Sequence, residues 1–236
     1  MKILGIESSS LVASAAIVTD DELTAEYTVN FKKTHSQTLL PMIDEIVRMV
    51  GLDLGTLDAI AVAAGPGSFT GLRIGTATAK GLGLAVKKPL IHVPTLDAMA
   101  FNLWGSDGLV CPIMDARRSQ VYTGLYHMHR GIEVVKGQCA MAIEELIEYL
   151  EELGEPVIFL GDGVPVNRRV IEETLKVPFD FAPSSHNRQR AAAVAALGME
   201  YLKKGITTAA ADLVPDYLRK SQAEREMEEK HGQMGQ

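Results

Sequence analysis

The 236-residue sequence predicts an α/β fold of two related lobes. Each lobe is a mixed sheet built from a β-meander plus helices, and the second lobe is the smaller. Three observations carry this. An apolar run of strand length, Leu57 to Ala64, enters the glycine loop Gly65-Pro66-Gly67-Ser68 and leaves as a run of helix length to Val86. A short apolar strand ending in an acid and a polar turn occurs twice, at Ile3–Glu7 before Ser8-Ser9-Ser10 and at Cys111–Asp115 before Ala116-Arg117-Arg118-Ser119. The elements after each occurrence come in the same order, and repeated units of this kind fix an architecture.

In chain order, Lys2 to Ile6, Val12 to Val18 and Glu22 to Val29 read as a three-stranded meander with turns at Glu7–Ser10 and Asp20-Asp21. A helix follows to about Val50, with Ser36 as its expected N-cap and Leu39, Leu40, Ile43, Ile46, Val47 and Val50 on its core stripe. The glycine-loop unit comes next, with its helix read from Gly71. Leu90 to Val93 is a strand, Thr95 to about Leu103 a helix, and Trp104–Gly108 the expected lobe boundary. The first lobe is thus placed at 1–104 and the second at 105–220. In the second, strands at Val121–Tyr126 and Ile132–Gly137 complete a meander. A helix at Ile143–Leu153, a strand at Val157–Leu160, and helices at Val166–Leu175 and Arg188–Lys203 follow. Residues 221–236 are charged and polar and read as a frayed or disordered tail.

Two features bear on chemistry. A glycine loop leading into a helix N-terminus exposes backbone N–H groups and attracts anions, or it is simply a tight turn joining buried elements. The segment fits neither Gly-x4-Gly-Lys-Ser/Thr nor Gly-x-Gly-x-x-Gly, so the turn is the expected reading. In the helix, Gly71, Gly75, Ala79 and Gly83 recur every four residues and share a face. Each interior glycine costs about 1 kcal/mol against alanine, which close backbone approach would offset.

The net charge is −7, which speaks against independent nucleic-acid binding. Cys111 and Cys139 lack the spacing of a zinc site. The run after Lys2 is too short for a leader, and no stretch approaches the ~20 apolar residues of a membrane span. A cytoplasmic chain is expected. His127 and His129 lie on one predicted strand face without a carboxylate or cysteine at ligand spacing, and read as a solvated face. His35 reads as a helix-entry residue and His92 as a hydrogen-bonded core residue. Arg117-Arg118 is a small basic spot.

Two meander-based lobes with a polar turn after the first strand resemble the actin/Hsp70/sugar-kinase superfamily. Ile3–Ser9, His35-Ser36-Gln37-Thr38-Leu39-Leu40-Pro41, Gly65–Gly75 and Pro215-Asp216-Tyr217-Leu218-Arg219 together closely resemble the TsaB family. The resemblance spans Met1 to about Ala223. It implies a two-lobed actin-like fold and a non-catalytic partner of the TsaD-type subunit that makes threonylcarbamoyladenosine in tRNA, with a TsaE-type ATPase joining. It also implies contact with tRNA only through the complex. The catalytic relative carries His-x-x-x-His where this chain has Thr95 and Met99. Neither can replace an imidazole for a divalent metal, so no metal and no catalytic residue are expected. Glu7, Ser8, Ser9, Gly65, Gly67, Ser68 and Asp115 would line a residual nucleotide cleft, with at most weak ATP or ADP binding. The partner face is expected on the two helices of the first lobe, through Met42, Met49, Gly71, Gly75, Ala79 and Gly83, and in isolation a homodimer would use it. The competing expectation is a stand-alone nucleotide-dependent transferase or hydrolase, or a metallopeptidase-like enzyme.

Overall fold

The computed structural model describes residues 1–31 and 34–219. The expected tail at 221–236 lies outside the described residues. The first sheet contains β1 (Lys2–Glu7), β2 (Val12–Thr19), β3 (Glu22–Asn30), β4 (Ala59–Ala63) and β5 (Leu90–Val93), in the order β3-β2-β1-β4-β5. β1 pairs antiparallel with β2 and parallel with β4. The second sheet contains β6 (Leu109–Asp115), β7 (Gln120–His127), β8 (Glu133–Ala142), β9 (Val157–Leu160) and β10 (Phe179–Phe181). Its order, β8-β7-β6-β9-β10, repeats the first strand for strand. This is the two-lobed actin-like fold.

Side-chain alternation divides the first sheet's two faces. Leu4, Ile6, Ile60 and Val62 point to α1 (His35–Val50) and α2 (Phe69–Val86). Ile3, Ala59, Ala61 and Ala63 point the other way, to the alanine-rich α6 (Ala191–Lys203). The two small-residue surfaces lie close: a Cβ on Gly198 would sit 2.7 Å from that of Ala61. α3 (Thr95–Phe101) joins the sheets through a third cluster with Leu96, Met99, Val110, Met114 and Leu160. The second lobe buries Leu146, Leu150 and Ile171 of α4 (Ile143–Leu153) and α5 (Val164–Thr174) on β6 and β9.

Several expectations are corrected. α1 starts at His35 with Thr34 in the cap position, so Ser36 is a helical residue. α2 starts at Phe69 because the Ser68 hydroxyl accepts the Gly71 N–H at 3.3 Å, so Ser68 and not the glycine region caps it. β10 is only three residues long and gives no periodic signal. α6 follows the second-lobe strands in sequence yet covers β1, β2, β4 and β5. The first sheet is therefore covered on one face by a helix that comes after the second sheet in the chain.

The start of α6 is held from across the chain. Its Ala191 N–H donates to Ser14 Oγ at 3.0 Å and its Ala192 N–H to Glu26 Oε1 at 3.2 Å. Arg190 Nε reaches both oxygens of the same carboxylate, at 3.3 and 3.2 Å. An acid at a helix N-terminus satisfies otherwise unpaired donors. Glu26→Ala is expected to lower stability by about 2 kcal/mol, read as a lower urea midpoint at unchanged slope.

Candidate functional site: the cleft and the paired helices

The polar turns of β1 and β6, the glycine loop and residues 216–219 surround a cleft of about 760 Å³ between the lobes. Ser9, Gly67, Ser68, Asp115, Arg117 and Arg118 line it. Of the expected cleft set, Ser9, Gly67, Ser68 and Asp115 line it, whereas Glu7, Ser8 and Gly65 are not among its lining residues; the Arg117-Arg118 spot lies on its second-lobe side.

The polar atoms there are largely committed to one another. Ser8 Oγ donates to the Gly71 carbonyl at 2.9 Å, and the Ser68 N–H donates to the Ser9 carbonyl at 2.6 Å. His35 Nε2 donates to the Ser10 carbonyl at 2.7 Å, which fits its reading as a helix-entry residue. The Gly65 N–H donates to Thr95 Oγ1 at 3.1 Å, and the Thr95 N–H returns to the Gly65 carbonyl at 2.7 Å. Thr95 therefore pins the glycine loop to α3, and Met99 is buried in the core between the lobes. Gly65 has φ 123°, a region side chains avoid, and a Cβ there would meet the Asp216 carbonyl at 2.3 Å.

Glu7 is buried at the end of β1. Burial pushes its pKa up to about 7. Hydrogen bonds from Ser9, whose N–H lies 2.6 Å from Oε1, oppose the rise, and the negative charge of Asp162 adds to it. Burial likewise raises Asp162, against a hydrogen bond from the buried Gln189 at 3.0 Å. Asp115 at the matching strand end is exposed and accepts the Arg117 N–H at 2.7 Å. The two turn acids therefore sit in opposite surroundings. Gln189 and Asp162 were not expected at the site; Asp162 carried a signal, standing in a Gly-Asp-Gly turn at a strand end.

The paired histidines diverge. His127 Nε2 lies 3.0 Å from Glu155, whereas His129 lies beyond the end of β7 with its Nδ1 3.4 Å from Asp107. Among the described residues, no three of His, Cys, Asp and Glu converge. Nor is any described helix long and apolar enough to cross a membrane.

The helix faces differ from expectation. Gly71, Gly75, Ala79 and Gly83 are buried on their own lobe. A Cβ on Gly71 would lie 2.1 Å from the Ser8 carbonyl, and one on Gly75 2.3 Å from Ser8 Oγ. This row lets α2 settle onto β1 and is not available to a partner. Met42 is also buried, while Met49 is 78% exposed. The open side of α2 carries Arg73, Ala77, Gly81 and Leu84 instead. α1 beside it exposes Leu40 and Val50, both expected on the core stripe; only Leu39, Met42, Ile43 and Ile46 of that helix are buried.

A family model described as "TsaD: tRNA N6-adenosine threonylcarbamoyltransferase" matches residues 23–227. The tRNA threonylcarbamoyladenosine biosynthesis protein TsaB of Bacillus subtilis is 37% identical over 229 residues, covering 95% of this chain and 96% of that protein. The chain belongs to the TsaB family. The TsaB of Escherichia coli is 34% identical over 167 residues, 69% of this chain and 72% of its own. Among solved structures, YeaZ from Pseudomonas aeruginosa has a TM-score of 0.77 at 24% identity, covering 92% of this chain and 99% of that one. That last likeness is one of fold.

Proposed function

We propose that this chain is a non-catalytic, cytoplasmic subunit in the synthesis of threonylcarbamoyladenosine in tRNA. It binds a TsaD-type transferase through the open side of α1 and α2. A TsaE-type ATPase completes the assembly, and tRNA meets the chain only there, in keeping with its net charge of −7. When the transferase is absent, a second copy of the chain takes the same face.

The observation that carries the reading is the bare apolar surface of these helices. Leu40 is 55% exposed and Leu84 69%, and Ala77 and Gly81 lie exposed on the same open side of α2. Leucines beside small residues suit close packing of a partner helix. The names of the relatives supply the pathway. Three features support a subunit without its own chemistry. Thr95 holds a backbone amide where a metal-binding histidine would stand. Met99 fills core. The loop amides of Gly65 and Ser68 are already bonded within the chain.

Gly81→Leu tests the face. Apart from its chain neighbours and the backbone of its own helix, no atom lies within 4 Å of a Cβ built there. The variant should fold, gaining up to about 1 kcal/mol of helix propensity. It is expected to lose binding to a purified TsaD-type transferase by about a hundredfold in calorimetry, through blocked helix approach. Wild-type affinity in a folded Gly81→Leu chain would refute the proposed face.

A further inference from the structure

The segment after α6 returns along the first lobe and ends on the second. Thr208 pairs with Leu90 at the edge of the first sheet. Lys80 of α2 donates to the Ala211 carbonyl at 3.2 Å, and Leu213 is buried in the cluster that also holds Ala79 and Leu90. The segment then passes over the glycine loop. The Asp216 N–H donates to the Ala64 carbonyl at 2.6 Å, and the Asp216 carboxylate lies 3.2 Å from His92 Nε2. Tyr217 packs on Phe69 with ring centroids 4.5 Å apart, and its hydroxyl accepts from Arg73 Nε at 3.3 Å. Two residues later, Arg219 Nη1 donates to the Ala116 carbonyl at 2.8 Å, in the hairpin turn that follows β6.

The receiving turn is itself unusual. Arg117, Arg118 and Ser119 have φ of 62°, 56° and 55°. Successive non-glycine residues in the left-handed region are costly and persist only where neighbours hold them. Asp115, Gln120 and Ile143 bond to these residues directly, and Arg219 bonds the residue that precedes them, Ala116.

We infer that residues 208–219 form a latch that couples the second-lobe turn to the glycine loop and the first turn of α2. The latch has three fixed points: Leu213 in the first-lobe core, Tyr217 on Phe69 and Arg73, and Arg219 on Ala116. Its middle lies against the glycine loop, so a shift of the second lobe reaches α2 without passing through either sheet. An element with contacts on two bodies biases both, and the bias is reciprocal. The inference concerns the chain alone and does not require the partner proposed above.

Hydrogen exchange on the full-length chain tests it. Arg219→Ala removes only the second-lobe contact and leaves Leu213 and Tyr217 in place. Exchange of segment 64–72 and of segment 115–120 is expected to speed up by about tenfold, with β2 and β3 unchanged. Tyr217→Ala should loosen the same two segments from the other side. Acceleration confined to 115–120 in Arg219→Ala would overturn the coupling. So would wild-type exchange in both variants, or a uniform acceleration that includes β2 and β3, which would make the segment mere ballast for stability. A fluorescence melt accompanies each variant, and Arg219→Ala is expected to melt within a few degrees of wild type.

Discussion

Gly75→Leu is expected to cost about 3 kcal/mol or more and to leave much of the chain unfolded at 37 °C. The new Cβ alone would lie 2.3 Å from Ser8 Oγ and 3.6 Å from Val62 Cγ2. Ser8 is fully buried and donates to the Gly71 carbonyl, so it cannot swing aside without leaving a buried hydroxyl unpaired. α2 would have to lift from β1, and the cluster of Leu4, Ile6, Val62 and Ala79 would open with it. Thermal melts of Gly75→Leu and Gly81→Leu, on one helix and with one substitution, check this. A clear loss for the first beside little change for the second is the expected pair. Equal melting temperatures would mean that the buried row does not set the helix-to-sheet distance.

Glu7→Gln is expected to change how stability depends on pH. The folded-state pKa of Glu7 is raised to about 7 from 4.5. Below the unfolded value the carboxyl is protonated in both states, and its charge costs nothing. As pH rises toward 7, the unfolded chain releases the proton and the folded chain keeps it, so stability falls. Above the folded pKa the penalty is complete, at about 3 kcal/mol. Glutamine keeps an oxygen for the Ser9 N–H and carries no charge at any pH. Urea unfolding of both chains from pH 4 to pH 8 should show the variant gaining on wild type across this window. A constant difference between the two would show that Glu7 ionises as readily in the folded chain as in the unfolded one.

The sequence made the repeat legible because strand–acid–turn units are local signals, and both meanders follow from them. It also made the glycine loop legible as a turn. It misjudged the helix face because α2 carries two rows of small residues: Gly71, Gly75, Ala79, Gly83 and Ala77, Gly81, Ala85. Both have helical spacing. Which one meets the sheet is decided by Ser8, 63 residues before Gly71 and invisible to any local pattern. The position of α6 was missed for the same reason, since its place rests on Ser14 and Glu26, more than 160 residues away. In the cleft, the turn residues Glu7 and Asp115 could be found by their strand ends. Their unlike burial could not, because it depends on what the fold packs around each turn: Glu7 is buried and Asp115 exposed.

The placement of α6 also sets the order in which the chain can mature during synthesis. Ile3, Ala59, Ala61, Ile91 and Val93 form the face that α6 covers, and all are made well before residue 191. Until the helix leaves the ribosome, that apolar face has only Ala98 and Phe101 of α3 beside it. The second lobe has no such wait, since its strands and helices are contiguous from Leu109 to Phe181. The lobe translated first is therefore the last to close: its sheet is complete at Val93, and its covering helix begins only at Ala191.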